Sequence, residues 1–147
     1  MMRNLLIVLA AAGALAGCQQ LPPTPQDLQA KKFEAAPGKA VIYVVRDIPD
    51  FTSIQSQISV GDKFMMKTYP GTYYRWDTPA GKQTISGVAE DSGTITVQVE
   101  AGRIYFVQQR VTGFRVPSSH FEQVSEAQGR AAVLRAVLLL PMEPVMQ

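Results

Sequence analysis

The chain has 147 residues, with 14 Lys and Arg against 12 Asp and Glu, a formal net charge of +2, one histidine and one cysteine. No long run of one charge sign occurs, which excludes the basic surface that nucleic-acid binding requires. A lone cysteine excludes an internal disulfide.

Arg3 precedes residues 5–16, a run without a charged or strongly polar side chain, which is the pattern of a secretory signal peptide. Those twelve residues make roughly 18 Å of helix, short of the ~30 Å hydrocarbon core, so the run is not a stable transmembrane span. It ends in Leu15-Ala16-Gly17-Cys18, which resembles the lipobox of bacterial lipoproteins at all four positions. The resemblance implies cleavage between Gly17 and Cys18, a diacylglycerol thioether on Cys18 and an acylated new amino terminus. The group it implies is a covalent lipid, and no dissociable cofactor is expected. Several chains anchor far more firmly than one, because each buried methylene adds about 0.8 kcal/mol. Gln19 follows the cysteine where inner-membrane lipoproteins resembling this pattern carry aspartate, which implies the outer membrane, facing the periplasm.

Removing residues 1–17 from 147 leaves 130, enough for one domain with a core of its own. Residues 18–38 contain Pro22, Pro23, Pro25 and Pro37 and almost no apolar period, which predicts an extended tether with at most a helical turn at residues 30–36. Fully extended, it would reach about 60 Å at ~3.1 Å per residue.

From Lys39 the period becomes two, the mark of strands with one buried face. Residues 40–45 are apolar on both faces and predict a central strand. In residues 54–60, Ile54, Ser56, Ile58 and Val60 share one face, with Gln55, Gln57 and Ser59 on the other. Gly61-Asp62 then predicts a hairpin into residues 64–69, and Pro70-Gly71 another reversal. Residues 72–76, 83–89, 94–100 and 103–111 follow as strands divided by glycine or proline turns. About seven short strands without intervening helices predict a small antiparallel β-sandwich. His120 to Val124 suits a last strand, and Ser125-Glu126-Ala127-Gln128 fits a capping box opening a helix. Ala127, Ala131, Leu134 and Leu138 form its apolar stripe, Gly129 weakens it, and Pro141 stops it. The helix is expected to close one end or edge. The domain therefore runs over residues 39–141, with 142–147 as a tail.

These segments resemble a family of bacterial lipoproteins built on an uncharacterised small β domain. The resemblance is carried by residues 41–46, by Gly71-Thr72-Tyr73-Tyr74, by Pro79-Ala80-Gly81-Lys82-Gln83-Thr84-Ile85 and by Ala101-Gly102-Arg103-Ile104-Tyr105-Phe106-Val107. It spans roughly residues 39–138 and implies a fold and an envelope location, with no activity, cofactor or catalytic residue. Gln83 stands where related surface modules more often carry histidine, so no role for that histidine transfers.

Hydrolase chemistry needs a nucleophile beside a histidine base, and the only histidine, His120, adjoins Ser118 and Ser119 without a glycine-rich nucleophile turn. It is expected as a partly exposed strand-edge residue, and no catalytic residue is assigned. Asp47, Asp50 and Asp62 match no calcium loop, and no metal is expected. The densest aromatic segment is Tyr69, Tyr73, Tyr74 and Trp76 with Arg75, able to stack on sugars or anchor a protein. Alternation puts Tyr74 and Trp76 on one face and Tyr73 and Arg75 on the other, so one pair is expected in the core. Phe114, before Pro117, is a further candidate anchor. The expectation is a non-enzymatic, lipid-anchored module that binds or scaffolds another envelope component, with an envelope protein as the expected partner, through a strand edge or the aromatic turn. Peptidoglycan binding is the alternative, and an envelope hydrolase the third.

Overall fold

A computed structural model of the chain describes residues 22–61 and 64–140. The expected cleavage site at Gly17-Cys18, the hairpin residue Asp62 and the tail 142–147 lie outside the described residues.

Strand β1 (Ala40–Arg46) pairs antiparallel with β4 (Thr72–Thr78) and parallel with β7 (Ile104–Thr112). Beside β7 lies β8 (Ser118–Val124), and beside β4 lies the two-residue β9 (Val137–Leu138), giving the order β8-β7-β1-β4-β9. A second sheet, antiparallel throughout, joins β2 (Ser56–Val60), β3 (Phe64–Thr68), β5 (Gly81–Gly87) and β6 (Thr94–Val99) in the order β3-β2-β5-β6. The protein is a mainly β sandwich with a C-terminal helix. It carries nine strands among the described residues rather than about seven, and β1–β7 and β4–β9 are parallel. The parallel partners are far apart in the chain: the whole second sheet separates β1 from β7, ample length for the crossover that parallel pairing needs.

Every residue of β1 is buried because the five-stranded sheet is covered on both faces. Ala40, Ile42 and Val44 face the second sheet and meet Ile58, Val60, Ile85, Val97, Val99 and Val107. Val41, Tyr43 and Val45 face the other way and meet Tyr73, Phe106, Ala132 and Val133. Each fully buried aliphatic side chain stabilises the fold by about 1.5–3 kcal/mol. The cover on that outer face is two helices, α1 (Pro25–Ala30) and α2 (Glu126–Arg135), so the architecture has three layers.

Helix α1 corrects the tether expectation. Thr24 caps it, its hydroxyl accepting from the Asp27 N–H at 3.1 Å, and Pro25 sits in the first turn, where a missing N–H costs nothing. Asp27 and Ala30 are buried, and Phe33 packs on Tyr43 and Phe106. Residues 25–36 thus belong to the folded domain, and the helix precedes the predicted turn at 30–36. A short apolar reach with no period hides such a helix from the sequence.

Helix α2 has the expected capping box, with Ser125 and Gln128 each satisfying the other's backbone. Its buried stripe is different: Gly129, Ala132, Val133 and Ala136 face the sheet, while Ala127, Ala131 and Leu134 are exposed and Leu138 lies in β9. Gly129 sets the phase. A Cβ there would stand 2.1 Å from Phe106 Cγ, so the glycine is the point of closest approach between helix and sheet. The helix therefore lies on a face of the sandwich, not at an end or edge. No helix among the described residues is long and apolar enough to cross a membrane.

Candidate binding surface

The registers place β1's end at Arg46 opposite Thr72, and β7's end at Thr112 opposite Ser118. The second sheet meets this same end, since Gly93 N–H donates to Ser119 O at 2.7 Å and the Ser56 and Ser119 hydroxyls share a buried hydrogen bond of 2.9 Å. Gln109 Nε2 donates to the same Ser119 hydroxyl at 2.9 Å, tying the two sheets together. Loops 47–55, 69–71, 88–93 and 113–117 all emerge here.

A buried cation organises the longest of these loops. Arg46 is fully buried, and its guanidinium donates to the carbonyls of Thr52 at 2.7 Å, Ile54 at 2.8 Å and Thr68 at 3.1 Å and to the Asp50 carboxylate at 2.5 Å. The other Asp50 oxygen accepts from Val111 N–H at 3.2 Å, which ties the loop to β7. A buried ion pair needs such supplementary hydrogen bonds to offset its desolvation. Outside it, Asp47 pairs with Arg135 of α2 at 2.5 Å. The loop is thereby pinned from both sides while its apolar side chains point outward.

Those side chains are Ile48 and Phe51, the latter 75% exposed, and neighbouring loops add Tyr69, Val88, Val116 and Phe114, which is 91% exposed. Val137 joins them at the start of β9, where its N–H donates to Gly71 O. Ile48 covers Gly71, and Gly113, at φ +99°, turns the chain so tightly that a Cβ would stand 2.2 Å from Val116 O. Seven of the ten exposed large hydrophobics among the described residues therefore lie at this end. None lies on the loops of the opposite end, at residues 36–39, 79–80 and 100–103.

Of the residues singled out from sequence, the structure brings Tyr69 and Phe114 to this end. Tyr69 is exposed and donates its hydroxyl to Gln55 Oε1 at 2.7 Å. The rest of the aromatic segment is divided between two cores. Tyr74 is buried between the sheets with Trp76 packed against it, and Tyr73 is buried beneath the helices. Thus both faces of β4 are covered, where one was expected. Arg75 is held by Asp77 through two contacts, 3.0 and 2.8 Å, by Glu34 O at 2.8 Å and by Tyr43 Oη at 3.4 Å. Cys18 and Gly17 lie outside the described residues.

His120 is exposed on edge strand β8, as expected, with Nε2 3.2 Å from Thr112 Oγ1. Ser118 donates instead to Asp91 O at 2.7 Å, and Ser119 is buried against Ser56 and Gln109. Neither serine addresses the imidazole. Among the described residues, no three His, Cys, Asp or Glu side chains converge as metal ligands.

Sequence reasoning missed Ile48, Phe51, Val88, Val116 and Val137. The available signal was large apolar residues standing singly among turn formers, as in Asp47-Ile48-Pro49-Asp50-Phe51, where no strand period gives them a core to enter. No protein-family model matches the chain, and no curated protein matches it.

Proposed function

We propose that the chain is a non-enzymatic, lipid-anchored binding module of the bacterial cell envelope, held by Cys18 to the outer membrane and engaging an envelope protein through its apolar end. The observation that carries this reading is the one-sided placement of exposed apolar side chains on pinned loops. Leaving several large hydrophobics in water at neighbouring positions favours association, and such patches mark interaction sites. Loops held by a rigid scaffold are where binding residues concentrate, and exposed phenylalanines are suited to act as anchors in a partner's pockets. The anchor itself is inferred from the lipobox resemblance and from Gln19.

Photo-crosslinking residues placed at Phe51, Phe114 and, at the opposite end, Ala101 test this in intact cells. Phe51 and Phe114 are expected to yield one recurrent envelope protein and Ala101 none; equal products from both ends, or none from Phe51 and Phe114, would overturn it. Phe114→Ser should leave stability within about 0.5 kcal/mol while abolishing the adduct at Phe51. The mass of the amino-terminal peptide tests lipid on Cys18 independently.

Peptidoglycan is the second ligand to consider, because the rings of Tyr69 and Phe114 stand at the same end and sugar faces stack on such rings. Sedimentation with purified peptidoglycan that falls for both Tyr69→Ala and Phe114→Ala would move the assignment to glycan. Trp76→Ala is not the informative variant, because Trp76 packs against the inter-sheet core.

A further inference from the structure

Strand β9 covers only Thr72 and Tyr73 of β4. After Leu139 N–H donates to Tyr73 O at 2.7 Å, no strand among the described residues continues along β4. At this edge Pro25, Gln29 and Ala30 of α1, Tyr74, and Leu138, Leu139 and Leu140 line an open groove of about 520 Å³. That volume falls within the ~300–1,000 Å³ of small-molecule sites.

Its chemistry is apolar for a specific reason. The one charged lining residue, Arg75, already spends its guanidinium on Asp77, Glu34 O and Tyr43. Gln26 and Gln29 are exposed on α1 and supply the neutral polar part of the lining. What remains to meet a ligand is Pro25, the partly exposed Leu138 and Leu139, and the exposed Leu140. Such a lining recognises hydrocarbon.

The position of the groove names the occupant. Pro25, one of its walls, is where the chain enters the folded domain, and Cys18 stands seven residues earlier. Seven residues span at most about 25 Å. We propose that the groove seats an acyl chain of the lipid on Cys18. This rests on the reading of Cys18 as the lipidated residue. A seated chain removes its own methylenes and the exposed Leu140 from water, so the seated chain is shielded whenever it is out of a bilayer.

The test is metabolic labelling of cells with a palmitate analogue carrying a diazirine and an alkyne, irradiation, and mapping of adducts on the full protein by mass spectrometry. The expected result is adducts on α1 and on Leu138 to Leu140, lost in Gln29→Trp, which fills the groove from an exposed lining position without entering the core. Cys18 acylated, with adducts elsewhere or unchanged by Gln29→Trp, would overturn the groove while leaving the anchor intact. Cys18 found without label would overturn the lipoprotein reading and the groove together. Crosslinks from the groove to residues 141–147, in place of the lipid adducts, would make the chain's own C-terminal segment the occupant and refute the proposal.

Discussion

Strand β1 sends alternate side chains into two cores of different chemistry. Toward the second sheet the contacts are largely aliphatic, built from Ile42, Val44, Ile58, Val60, Ile85, Val97, Val99 and Val107. Toward the helices they are aromatic: the Tyr43 and Phe106 rings stack with centroids 5.3 Å apart, and Phe33 and Tyr73 tilt against Tyr43. The aromatic core also carries polar handles. Tyr43 donates to Ala30 O at 2.5 Å and Tyr73 to Asp27 at 2.9 Å. Aliphatic packing rewards volume and tolerates exchange, whereas hydroxyls in a core demand partners at fixed places. The helix-side core therefore determines where α1 and β9 sit, and the inter-sheet core supplies burial.

The sharpest way to break this contrast is Asp27→Ala. Asp27 accepts from Tyr73, from Leu138 N–H at 3.0 Å and from Lys31 at 2.8 Å, so one carboxylate joins α1, β4 and β9. Removing it strands a buried hydroxyl and a backbone N–H, and the expected loss is about 3–5 kcal/mol, a large share of a typical domain's stability. Urea unfolding measures it. A loss below about 1 kcal/mol would show the helix layer to be dispensable.

Gly129→Ala is next in size and opposite in sign to helix propensity. Alanine favours a helix over glycine by about 1 kcal/mol, but here its Cβ would meet Phe106 Cβ and Cγ, atoms too near the backbone to swing aside. Overpacking of this kind costs about 1–3 kcal/mol. A stabilised variant would mean that α2 rides on the sheet more loosely than the aromatic core implies.

These two positions also mark the limit of what was legible. The aliphatic core was readable because period-two alternation in residues 56–60 and 94–99 reports directly which face is buried, and the two-sided apolar run at β1 announced a covered central strand. That β4 is the neighbour of this run, and is therefore covered on both faces, comes from the register; it divides Tyr73 from Tyr74 and dissolves the aromatic site. Thr24 is the cap of α1 and Pro25 and Asp27 are its first-turn signals, hidden among prolines that read as a tether. The phase of α2 was illegible because Gly129 interrupts an apolar stripe, and only Phe106, distant in sequence, makes it the contact residue. Phe114 could be named as a loop anchor, but the convergence of loops 47–55, 69–71, 88–93 and 113–117 is a property of the registers.

Alkaline pH titrates tyrosines of both cores. Burial raises the hydroxyls of Tyr43, Tyr73 and Tyr74 above the ordinary tyrosine range, and for Tyr73 the hydrogen bond to Asp27 raises it further. The unfolded chain ionises near pH 10 while the folded one keeps its protons, so this contribution is complete below pH 10 and is lost above it. Each tyrosine adds a slope of up to about 1.4 kcal/mol per pH unit. Tyr73→Phe and Tyr74→Phe should each flatten the decline of the urea midpoint between pH 9 and 11. Only Tyr73→Phe should also cost stability at pH 8, by about 1–3 kcal/mol, because Asp27 then loses a donor. Equal losses at pH 8 would place a comparable polar demand in the inter-sheet core.

The smallest effect sharpens the comparison most. Ile58→Val removes one methylene from the aliphatic core and should cost about 0.5–1.5 kcal/mol. Ile58 and Asp27 lie on opposite sides of the five-stranded sheet and share no partner. Combined, their losses should add to within about 0.5 kcal/mol if burial and positioning are carried by separate cores. A larger coupling would have to pass through β1 and β4, the strands that serve both cores. Adding Tyr43→Phe to Ile58→Val would then locate it, since Tyr43 lies on β1 and binds α1 through Ala30 O.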